Sequence, residues 1–102
     1  MNIFCYILKL SNGTHYCGIT KNIVKRFAQH MCGNCKSTRH ARPVVLVWLT
    51  DFENYSLARI QEVQIKKQGV TYWYNRNVKF ANRVYISKAD LKNISEKRKE
   101  DD

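Results

Sequence analysis

Residues 3–10 (IFCYILKL) are apolar at odd and even positions alike, so a strand built from them needs cover on both faces. That requirement places the segment at the centre of a sheet packed on each side. SNG supplies turn chemistry, and residues 14–20 (THYCGIT) read as the returning strand. Loop length sets the register, and register decides which side chains share a face, because the period of a strand is two. A two-residue Asn12-Gly13 turn sends Tyr6 and Tyr16 to opposite faces. A three-residue loop has Ser11 and Asn12 in a type I turn and Gly13 left-handed. It pairs Leu10 with Thr14, Tyr6 with Gly18 and Leu8 with Tyr16. Both phenols then lie on one face with space beside Tyr6 at Gly18, and this is the register expected.

A helix is expected over about 22–32, with Asn22 or Thr20 as N-cap and Gly33 as its stop. Ile23, Phe27 and Met31 form its apolar stripe, and Asn22, Arg26 and His30 repeat at the same spacing on a neighbouring polar face. Residues 34–43 (NCKSTRHARP) form a basic loop, and Pro43 opens VVLVWLT, a third, buried strand. A second helix is expected over about 54–68, stopped by Gly69, with Leu57, Ala58, Ile60, Val63 and Ile65 buried and Glu62 on the flank. The segment YWYNRNVKFANRVYI interleaves aromatics with Arg76, Lys79 and Arg83. These side chains suit either stacking and phosphate contact or cover for a small core. Residues 87–102 read as a short helix with a charged tail. The fold class expected is α/β (α+β): one domain over residues 1–86 with a small, mainly antiparallel three-stranded sheet flanked by helices.

Eighteen Lys and Arg face 8 acids, a formal charge of +10 on 102 residues, which suggests a polyanionic partner, nucleic acid before membrane. No apolar run approaches the roughly 20 residues that span a bilayer, and MNIFCYILKL lacks the basic start of a signal peptide. The expectation is a cytoplasmic protein without membrane partners. Cys5 and Cys17 fall in strand patterns and read as small hydrophobes. Cys32 and Cys35, flanked by His30 and His40, make only half a usual zinc site, so reduced thiols are expected there and no zinc.

CYI at 5–7, YCG at 16–18, the following ITKNIVKRF with Arg26, His30, and SLARIQEVQIKK at 56–67 together resemble the GIY-YIG endonucleases. The likeness is closest to their small standalone members and covers residues 3–68. Cys5 stands where the first half-motif usually has a small or apolar residue, and Cys17 occupies a variable position of the second. The resemblance implies Tyr16 as the base that activates water, with Tyr6 and His30 supporting it. It makes Glu62 the metal-binding carboxylate and DNA the substrate. The chemistry agrees. Mg²⁺, with Mn²⁺ able to substitute, can be held by one carboxylate plus waters and phosphate, and Arg26 can grip a phosphate in fork geometry. A tyrosine needs nearby cations, such as Arg26 or Lys21, to become a useful base.

Contacts to the DNA backbone are expected from Gly18, Lys21, Lys25, Lys36, Arg39, Arg42, Asn75 and Arg76, with a homodimer or partner subunit as a further option. Taken singly, the tyrosines read as ordinary strand residues, Arg26 and His30 as a solvated helix face, and Glu62 as the i,i+4 partner of Lys66. Taken in order, they read as one nuclease site. The alternatives are an inactive or partner-dependent DNA-binding module and an RNA-binding protein.

Overall fold

The computed structural model describes residues 2–79. Strand β1 (Ile3–Leu10) is central, between β2 (His15–Thr20) and β3 (Pro43–Phe52), and both pairings are antiparallel. The fold is thus a three-stranded antiparallel sheet flanked by helices. The β1–β2 register is the one a three-residue loop requires: Tyr6 opposes Gly18 and Leu8 opposes Tyr16. The Leu10 amide donates to the Thr14 carbonyl at 2.8 Å, and the Gly13 amide closes the turn on Leu10 at 3.0 Å. Gly13 holds φ at 88°, a conformation that side chains with a Cβ resist. The Asn12 side chain accepts from both the amide and the hydroxyl of Thr14.

Both faces of β1 are covered. On one, Phe4, Tyr6, Leu8 and Leu10 pack with Leu46, Ala41 and helix α1 (Ile23–Met31), which contributes Ile23 and Phe27. Asn22 caps this helix by accepting the Lys25 amide at 3.1 Å. On the other face Cys5, Ile7, Cys17 and Val47 meet Ile65 of helix α2 (Tyr55–Gln68). The Cys5 and Cys17 sulfurs lie 3.9 Å apart, fully buried. Gly69 ends α2, and the short helix α3 (Val70–Tyr74) follows, widening into a π-helical turn over Asn75–Lys79. Trp73 meets Trp48 edge-on, with centroids 5.0 Å apart, which fastens α3 to β3. Strand β3 is longer than expected and lies at an edge. Ile7 pairs with Trp48 but Leu8 with Leu46, so Val47 is an extra, bulged residue.

The expected buried side of α2 is only partly observed. Ala58 and Ile65 are fully buried, whereas Leu57, Ile60 and Val63 are exposed. At 100° per residue the five positions span about 220° of the helix circumference, roughly twice what one sheet face can cover. The aromatic segment divides as well: Trp73 and Tyr74 pack against the core, and Tyr72 faces solvent. Arg83 and the expected helix over 87–102 lie outside the described residues. Among the described residues no helix is long and apolar enough to cross a membrane.

These positions predict unequal substitution costs. Ile65→Ala should lower unfolding free energy by about 2–5 kcal/mol, while Ile60→Ala should stay within about 0.5 kcal/mol of the parent. Urea denaturation of the two variants measures the difference.

Candidate active site

Tyr6 occupies the middle of the central strand and is 1% exposed. Its ring lies over Gly18: a Cβ built there would come within 2.5 Å of the phenol oxygen and 2.7 Å of Cζ. Any side chain at 18 would therefore displace the phenol, which explains why the half-motif ends in glycine. The phenol oxygen lies 3.0 Å from Nε2 of His30, and His30 Nδ1 lies 2.8 Å from Oγ1 of Thr38. Arg26, one turn before His30 on α1, lies close enough to the Tyr6 hydroxyl for its charge to oppose the rise in the phenol's pKa, and its Nη1 donates to Gln29 Oε1 at 3.2 Å. Tyr16 completes the cluster, its ring 6.4 Å from that of Tyr6 and 5.1 Å from the His30 imidazole. It is half-buried on the edge strand, where solvent can reach it.

His30 is not on a solvated face, as its spacing with Asn22 and Arg26 suggests, but fully buried. The loop after α1 folds back over it, bringing Thr38 to Nδ1 while Tyr6 of β1 meets Nε2, and two partnered nitrogens make burial of a polar ring tolerable. Burial first, and the Arg26 charge second, depress its pKa to about 4, so the ring is neutral near pH 7. Burial, reinforced by Tyr16, pushes the Tyr6 phenol well above its ordinary value, and Arg26 only partly opposes it. The expectation that cations would turn both phenols into bases therefore fails for Tyr6, where desolvation outweighs the guanidinium. One arrangement satisfies every group. Tyr6 O–H donates to Nε2, Nδ1–H donates to Thr38, and Arg26 donates to Gln29.

Glu62 reaches the cluster through Lys66. The carboxylate pairs with Lys66 Nζ at 3.2 Å, and the same ammonium lies 5.8 Å from the centre of the Tyr16 ring. Both sequence readings of Glu62, surface pair and site carboxylate, thus describe one arrangement. Its oxygens are the hard donors that Mg²⁺ prefers, and no second protein carboxylate is needed when waters and phosphate fill the remaining positions. Among the described residues no group of three or more His, Cys, Asp or Glu is placed to hold a metal. In the His30, Cys32, Cys35 and His40 cluster, Tyr6 and Thr38 already take both nitrogens of His30.

Of the remaining expected positions, Lys21, Lys25 and Lys36 are exposed around α1. Arg39 and Arg42 are exposed too but converge on the end of α1: Arg39 Nε donates to the Gly33 carbonyl at 3.1 Å, and the Arg42 guanidinium packs beside Gly33. Asn75 does not join the phenols. It lies across the sheet, near Lys9 and His15. Arg76 donates to the Tyr72 hydroxyl at 2.9 Å. Two participants escape sequence reasoning. Thr38 sits in an irregular loop without periodicity, and Lys66 reads in sequence only as the partner of Glu62.

A small antiparallel sheet that buries a phenol against an imidazole, with a Glu62–Lys66 pair beside the second phenol, belongs to a chain with relatives among known proteins. The family model of the GIY-YIG catalytic domain matches residues 2–76, and the chain belongs to the GIY-YIG family. It is 38% identical over 65 residues to a UPF0213 protein of Listeria monocytogenes serotype 4b (strain F2365), a match covering 63% of this chain and 73% of that one. A UPF0213 protein of Nitratidesulfovibrio vulgaris is 38% identical over 66 residues, covering 64% and 60%. The solution structure of UPF0213 protein BH0048 from Bacillus halodurans is 31% identical, with a TM-score of 0.41, covering 66% of this chain and 72% of that one.

The buried imidazole predicts acid sensitivity. Its proton affinity is lower folded than unfolded, so its contribution is complete above about pH 6.5 and is lost as pH falls toward 4. Each pH unit between those values should cost about 1.4 kcal/mol. Thermal melts across that range should show the decline, and His30→Gln should flatten it even where it lowers the melting temperature at neutral pH.

Proposed function

We propose that the chain is a divalent-metal-dependent DNA endonuclease that hydrolyses phosphodiester bonds in intracellular DNA. The observation that carries this reading is the position of Tyr16. The ring is half-buried at the sheet edge, beside a neutral buried imidazole on one side and the Lys66–Glu62 pair on the other. In this reading Tyr16 takes the proton of the attacking water. Arg26, half-buried beside Tyr6 and Gln29, presents its remaining guanidinium donors to the phosphate oxygens. Tyr6, His30 and Thr38 exclude water behind it. Glu62 would hold a Mg²⁺, which when bound supplies charge for the phosphoryl and leaving oxygens. Lys66, beside the Tyr16 ring, would meet the incoming anion.

Supercoiled plasmid should be nicked with Mg²⁺ or Mn²⁺ present. Glu62→Gln should abolish nicking, and Tyr16→Phe should slow it by about 10²-fold or more, both with melting temperatures near the parent's. Parent-like rates in both variants would refute the assignment.

The exposed Lys21, Lys25 and Lys36 separate positioning from chemistry. Changing all three to Gln should weaken binding to duplexes of any sequence. It should also reduce the salt dependence by about 0.9 log units of slope for each phosphate that a lysine no longer neutralises. Single-turnover cleavage at saturating DNA should change far less. Fluorescence titrations over a salt series test the first expectation, and quenched-flow measurements the second.

A further inference from the structure

On the α2 side of the sheet, Lys9, Gly13, His15, Thr71, Tyr74 and Asn75 line a cavity of about 240 Å³. Tyr16 and His15 are consecutive on β2, so their backbones are about 3.8 Å apart while their side chains point to opposite faces. A strand lying along this edge passes from Tyr16 to the cavity within one residue of protein. We propose that the cavity receives one unpaired nucleotide flanking the reacting phosphate, which makes the substrate DNA with a single-stranded segment beside the cut. The inference rests on the nuclease reading and specifies its substrate class.

The lining fits that occupant. His15 stacks on Tyr74 with centroids 4.6 Å apart and planes 30° apart, and its Nδ1 is held 3.0 Å from the Thr71 hydroxyl. This fixed aromatic pair offers a surface on which a base can pack, at little cost in ordering. Lys9 is exposed and supplies a cation for the adjoining phosphate. The Asn75 amide and the Thr71 hydroxyl supply donors and acceptors for a base edge. A base in an intact duplex has its ring faces stacked and its pairing edge occupied, so it can use none of these groups without being flipped. At about 240 Å³ the half-open cavity suits one nucleotide and not a base pair. Electrostatics alone does not account for the site, since the exposed lysines around α1 attract duplex equally well without a concave aromatic lining.

The test is binding in EDTA, where no cleavage occurs, by fluorescence anisotropy of the full chain. A blunt duplex is compared with the same duplex carrying a single-stranded DNA extension. The parent should prefer the extended form by about tenfold, the order expected of one stacked base. The Lys9→Ala/Asn75→Ala double variant should lose that preference while keeping its affinity for the blunt duplex. Amide shifts of Lys9, His15, Thr71 and Asn75 in the parent, on titration with a short single-stranded oligonucleotide, give a reading that needs no variant. Equal parental affinities, a preference that survives the double substitution, amide shifts confined to the Tyr6–Tyr16 face, or tighter binding of an RNA extension would each overturn the proposal. Its failure is distinct from that of the nuclease reading: nicking without substrate preference removes only the cavity's role, and preference without nicking removes only the catalytic role.

Discussion

The contact between the Tyr6 ring and the backbone of Gly18 is the constraint on which the site depends. It exists because a three-residue loop sets the register, and it lets a large phenol lie flat in the centre of a sheet where any Cβ would strike it. With Tyr6 fixed there, His30 and Arg26 have a common neighbour, and α1 is held at one rotation about its axis. Tyr16, two residues before Gly18, then falls on the same face without further instruction. A short hairpin thereby organises the phenols and the two α1 side chains that meet them.

Burial divides labour between two otherwise identical side chains. Tyr6, enclosed and hydrogen-bonded, keeps its proton and acts as an anchor. Tyr16, half-buried on the edge strand, is the phenol that a bound molecule can reach. The neutral imidazole is part of the same design. A charged His30 beside Arg26 would repel it, whereas an uncharged ring accepts from Tyr6 and adds no competing cation.

How much of this could be read from the sequence follows from the range of each interaction. The hairpin, its register and the cap of α1 are set by neighbours a few residues apart, so SNG and Asn22 announce them. The common face of the phenols follows by parity. The orientation of α2 does not. Its apolar residues surround most of the helix, and only the docked sheet selects Ala58 and Ile65 over Ile60 and Val63. Thr38 is illegible for a related reason: its role comes from where an irregular loop crosses α1, not from a pattern. Position in the chain likewise does not reveal that Asn75 lies across the sheet from the phenols, beside Lys9 and His15.

The paired thiols behind the phenols have a separate consequence. Cys5 and Cys17 adjoin Tyr6 and Tyr16 in the chain but point to the opposite face. Each is sealed from solvent, and their mutual hydrogen bond, then burial, raises the pKa of Cys17. An alkylating reagent can reach them once α2 lifts from the sheet, whereas Cys32 is exposed in the folded state. The molecule thus carries a built-in clock: labelling of Cys5 and Cys17 relative to Cys32 reports how often α2 comes away from the strands that bear the two tyrosines. No foreign probe need be placed near the site to read it.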